Sequence, residues 1–97
     1  MVAVERITKG KNMNLNEQIV LQACIDNQNE NGGDFGFGEE VVSMLVANSA
    51  HQVAGYLSAL QAKSYIYIEG NMVDGKVCGQ FVVMSAAHDA LAFARGV

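Results

Sequence analysis

EEVVSMLVANSAHQVAGYLSALQAKSYIYI, residues 39–68, is the stretch on which the fold turns. Two acids open it, where the positive end of a helix dipole favours negative charge, and Val41, Val42, Met44 and Leu45 supply an apolar side. This predicts a helix over 39–46. Ala47 and Asn48 then make a tight turn. Ser49 with Gln52 three positions on has the form of a capping box, opening a second helix that runs to Ala62. Val53, Leu57 and Leu60 recur along it at i, i+4 and i+7, which is one core-facing stripe. After Lys63 the hydrophobic period drops to two, so Tyr65, Ile66, Tyr67 and Ile68 read as a β-strand.

The flanking segments extend the pattern. Asn14 and Glu17 repeat the capping-box spacing and open a helix over 15–29, with Leu15, Ile19, Leu21, Cys24 and Ile25 as its apolar positions. Asn27 to Gly33 is a polar run ending in two glycines and has helix-stopping chemistry. Phe35 and Phe37, at period two between glycines, predict a very short strand able to pair with a later hairpin. Asp74-Gly75 is a strong hairpin signal, and the returning strand covers 77–84, including Phe81, Val82 and Val83. Ser85 is placed to cap a last helix over 86–95, stopped by Gly96.

Composition sets the outer limits. A chain of 97 residues is one domain, large enough for a real core. At 51% hydrophobic and 16% charged it is more apolar than an average domain, which implies that some apolar surface meets another chain. No apolar run approaches the roughly 18 residues that a membrane span needs, and the opening residues lack the apolar stretch of a signal peptide. A soluble, cytoplasmic protein is expected. Cys24 and Cys78 form no CxxC pair and are expected as buried free thiols.

Charge is uneven. Arg6, Lys9 and Lys11 face only Glu5 in the first eleven residues, whereas nine acids face Lys63, Lys76 and Arg95 thereafter. Residues 1–13 therefore form a basic arm, and residues 14–97 an acidic domain. The arm reads either as a phosphate contact or as a disordered leader with Met13 as an internal start.

The order helix, strand, helix, helix, strand, strand, helix, together with the residues quoted from Glu39 to Ile66, resembles the winged-helix family. More loosely it is similar to MarR-like transcriptional regulators. The resemblance covers roughly residues 14–84 and implies an α+β winged-helix fold: a three-helix core with a helix-turn-helix, a short strand plus a β-hairpin wing, and an extra C-terminal helix. It further implies a small, non-enzymatic DNA-binding regulator, a homodimer joined through its end helices, with no cofactor or metal. Its second helix-turn-helix helix would enter the major groove, and the hairpin would touch the flanking backbone. Carried onto this chain, the reading residues are Ser49, His51, Gln52, Tyr56 and Ser58, with Lys63 and Lys76 on phosphates, aided by Arg6, Lys9 and Lys11 of the arm.

The chemistry of that helix departs from the pattern. Residues 49–62 hold no Arg and no Lys, although phosphate affinity rests on those side chains and the commonest base contact is Arg or Lys to guanine. Glu69 and Asp74 make the wing acidic. Ala50, Ala54, Gly55, Ser58, Ala59 and Ala62 instead suggest a smooth face open to close approach, Gly55 above all, since a helical Gly costs about 1 kcal/mol against Ala. A second expectation follows: a winged-helix protein-interaction module, acidic, suited to a basic protein partner and either not binding DNA or competing for a DNA-binding site.

Other patterns fall short. Asn27, Asn29 and Asn31 imitate half of an EF-hand loop, but its twelfth position falls on Gly38 rather than on a Glu. The glycines before residue 39 match neither phosphate-loop spacing and sit among acids. His51 and His88 have no nucleophile or acid partner at a telling spacing, and Met13, Met44, Met72 and Met84 read as core or interface filling.

Overall fold

The computed structural model describes residues 13–69 and 79–94. They form α1 (Leu15–Glu30), β1 (Gly36–Phe37), α2 (Gly38–Met44), α3 (Ala50–Ala62), β2 (Ile66–Glu69), β3 (Gln80–Val83) and α4 (Ser85–Ala94). The fold is α+β, with four helices and a small three-stranded antiparallel sheet ordered β1-β3-β2. Its element order is compatible with a winged-helix layout.

Both capping boxes form. The Asn14 side chain accepts from the Glu17 N–H while Glu17 accepts from the Asn14 N–H, and Ser49 and Gln52 exchange the same two bonds. Both long helices also end alike. At the end of α1 the Gly33 N–H donates to the Gln28 carbonyl at 2.8 Å and the Gly32 N–H to Asn29 at 3.2 Å. At the end of α3 the Tyr65 N–H donates to Leu60 at 3.0 Å and the Ser64 N–H to Gln61 at 2.9 Å. These are paired Schellman bonds, which need a left-handed residue just past the cap. Gly32 supplies it at φ 97°, and Ser64 supplies it at φ 67° despite carrying a Cβ.

The short strand expected around Phe35 and Phe37 pairs as anticipated, with Gly36 opposite Phe81 and Phe37 opposite Gln80. A Cβ on Gly36 would run into the buried Phe81 ring, so glycine is what lets the ring lie against β1. On the other side β2 pairs with β3 from Ile66 opposite Val83 to Glu69 opposite Gln80. Side-chain amides complete the sheet: Gln28 accepts from the Val83 N–H at 2.7 Å, and Gln61 accepts from the Ile68 N–H. Amides so used cover backbone donors that a short sheet leaves exposed.

The core gathers Val20, Leu21 and Cys24 of α1, the predicted Val53, Leu57 and Leu60 of α3, and Tyr65, Ile66 and Phe81 around the sheet. Several expectations change. Leu15 and Ile19 are exposed at 69% and 46%, because α1 turns the face of Glu17, Val20, Leu21 and Cys24 inward. Met13, one of the methionines read as filling, does belong to the core, at 4% exposure. Helix α2 stops at Met44, so Val46 lies in the turn, fully outside the core. Ser85 begins α4 instead of preceding it. The Asp74-Gly75 turn, Lys76, Cys78, Arg95, Gly96 and the arm residues Arg6, Lys9 and Lys11 lie outside the described residues, and no described helix is long and apolar enough to cross a membrane.

Candidate functional site

The segment from α2 to α3 holds most of the candidate contacts read from the sequence, and the structure separates them into three groups. His51, Gly55 and Ser58 share one exposed side of α3, at i, i+4 and i+7, and the exposed Ala62 continues it. Nothing lies within 4 Å of a Cβ built on Gly55, so no part of the described chain makes the close approach that its glycine suggested. Among the described residues, nothing covers that side of the helix at Gly55.

Ser49 and Gln52 are exposed too, but they already serve the helix start. The Ser49 hydroxyl accepts from the Gln52 N–H at 3.1 Å, and the Gln52 side-chain oxygen accepts from the Ser49 N–H at 2.9 Å. Only the remaining donor and acceptor capacity of each is open to a partner.

Tyr56 and Lys63 depart furthest from expectation. Tyr56 is half-buried against the core, and Ala54, grouped above with the smooth side, is a core residue at 4% exposure. Both follow from the breadth of the buried face of α3, which spans more than the Val53, Leu57, Leu60 stripe. Lys63 is turned inward. Its Nζ lies 2.8 Å from Oε1 of Glu17, the same oxygen that accepts from the Asn14 N–H at 3.0 Å. Lys63 is also the only Lys or Arg among the described residues. Burial, and then the neighbouring Glu17 carboxylate, push the Tyr65 hydroxyl above its usual pKa.

A polar clasp that sequence reasoning missed joins α1 to the start of α2. Asn27, buried, donates to Oε1 of Glu40 at 2.8 Å and accepts from the Phe37 N–H at 2.8 Å. Asn31 donates to the same Glu40 oxygen at 2.9 Å and to the Asn27 carbonyl at 2.8 Å. The hydrogen bonds from Asn27 and then Asn31 hold the Glu40 carboxyl below its usual pKa, outweighing a small opposing effect of burial. Two of the three asparagines that imitated a calcium loop, Asn27 and Asn31, thus serve as donors to a carboxylate. No group of three or more metal-ligating side chains occurs among the described residues.

Several large apolar side chains are also exposed, Phe35, Tyr67 and Met84 among them. Met44 and Val46, at 39% and 90% exposure, lead into α3, and Leu15, Ile19 and Phe93 stand out from the first and last helices. Phe93 carried no sequence signal beyond its type. Compared with family models, with curated proteins and with solved structures, the chain matches none.

Proposed function

We propose that the protein is a non-enzymatic interaction module of winged-helix type, which offers the turn before α3 and the exposed side of α3 to a protein partner. One observation carries this reading: Lys63, the sole Lys or Arg among the described residues, is bound to Glu17 at 2.8 Å, so none of the described residues supplies a Lys or Arg to the side of His51, Gly55 and Ser58. An uncharged helical side beside the exposed Met44 and Val46 suits a protein surface better than a phosphate backbone, whose affinity comes from Lys and Arg. The acidic body suits a basic partner. Self-association through the end helices fits the exposed Leu15, Ile19 and Phe93.

Double-stranded DNA is the second reading. It is favoured by the helix-turn-helix order, by the open N-terminal half of α3 with His51 and Gln52 exposed, and by Arg6, Lys9, Lys11 and Lys76 elsewhere in the chain. Fluorescence anisotropy on mixed duplex DNA separates the two. The interaction reading expects no binding at about 50 mM salt, whereas binding that falls steeply as salt rises would establish DNA as the ligand. On the protein side, Gly55→Leu should abolish partner or self-association with an unchanged helical spectrum. Unchanged association would remove α3 from the surface.

A further inference from the structure

We propose that Asn31-Gly32 is a spontaneous deamidation site whose rate is set by the clasp with Glu40. Asn31 is exposed and is the only Asn followed by Gly in the chain. Gly32 has no side chain to hinder its own nitrogen, and even a Cβ there would meet nothing within 4 Å, so the residue that must attack is sterically open on that side. The chemistry is internal. The Gly32 nitrogen loses its proton to hydroxide and bonds to Cγ of Asn31; the Cγ–Nδ2 bond breaks and that nitrogen leaves as ammonia, taking a proton from water. Water then opens the cyclic imide at either carbonyl, which leaves aspartate or isoaspartate at position 31.

Two sets of hydrogen bonds oppose ring closure in the folded chain. Nδ2 of Asn31 is anchored on the Asn27 carbonyl at 2.8 Å and on Oε1 of Glu40 at 2.9 Å. The proton that the Gly32 nitrogen must lose is held on the Asn29 carbonyl at 3.2 Å. Rotation of the Asn31 carboxamide onto Gly32 breaks the first set, and release of the turn breaks the second. The product cannot remake the clasp. A carboxylate at position 31 has no N–H for Glu40 and places like charge beside it, so modification loosens the joint between α1 and the first helix of the helix-turn-helix.

Peptide-resolved mass spectrometry of the full chain in mildly alkaline buffer tests this, with native and urea-unfolded samples compared. Native Glu40→Ala should convert position 31 about tenfold faster than the parent, the ratio for losing roughly one charge-assisted hydrogen bond. Glu40→Gln, which keeps an acceptor oxygen without the charge, should fall between them, and it retains the test if Glu40→Ala does not fold. In urea all three rates should coincide. Equal native rates in the parent and the folded variants, or no conversion at position 31 in any folded variant, would overturn the proposal.

Discussion

Glu17 and Lys63 stand 46 positions apart and meet at 2.8 Å, so the residue that completes the cap of α1 is also the counter-ion of the residue that ends α3. Their burial is unequal, with side-chain exposures of 8% for Glu17 and 25% for Lys63. Losing one partner therefore costs different amounts on the two sides.

Lys63→Met should be the more damaging change. It strands a buried carboxylate, whose loss of a counter-ion costs about 2–3 kcal/mol in a setting this enclosed. Glu17→Gln keeps an acceptor for the Asn14 N–H and leaves an ammonium that reaches water, so about 1 kcal/mol is expected. Urea titrations of both variants check the order. A larger loss for Glu17→Gln would show that the ammonium left without its counter-ion, not the stranded carboxylate, is the costlier group.

Ser64 holds a left-handed conformation at φ 67° that glycine adopts freely. Ser64→Gly should raise stability by about 0.5–1 kcal/mol, the relief of the strain less the added entropy of the unfolded chain. A higher midpoint of thermal unfolding is the expected sign, and a lower one would mean that the Ser64 side chain contributes more than its backbone costs.

Two glycines should respond oppositely to alanine. Gly36→Ala drives a methyl into the Phe81 ring and should cost about 1–3 kcal/mol as an overpacked core does. Gly55→Ala enters open space in a helix interior and should stabilise by about 0.5–1 kcal/mol. Chemical denaturation of the pair reads both signs at once.

Cys24 is buried and its thiol is pushed up to about 12 by desolvation. In a Cys78→Ser background it should resist a thiol reagent until denaturant is added. The same shift links to pH. An unfolded thiol ionises near pH ~8.5 while the folded one holds its proton, so the unfolded state binds fewer protons and stability falls from there as pH rises toward the folded value. Cys24→Ala should flatten that alkaline slope. An unchanged slope would assign it to other groups.

Much of the fold was legible from side-chain spacing, because local signals are repeated along the chain. Both capping boxes, the Val53, Leu57, Leu60 stripe, the Gly-terminated end of α1 and the two-residue strand at Gly36 are written within a few positions each. Which face of α1 turns inward was less legible, since Leu15 and Ile19 read as core positions yet are exposed, and the buried face instead includes the charged Glu17. Its burial depends on a lysine that only the packing of α3 against α1 brings near.

Sequence by itself determined the order of elements, the acidic balance and the absence of Arg and Lys from residues 49–62. All three depend on residue type and near-neighbour spacing alone. Tertiary structure decided that Lys63 turns inward to Glu17, that Tyr56 and Ala54 pack toward the core, and that Asn27 and Asn31 bind Glu40. Each of these depends on partners held by another element, and a hydrogen bond or ion pair forms only when packing has already fixed the distance between its two groups.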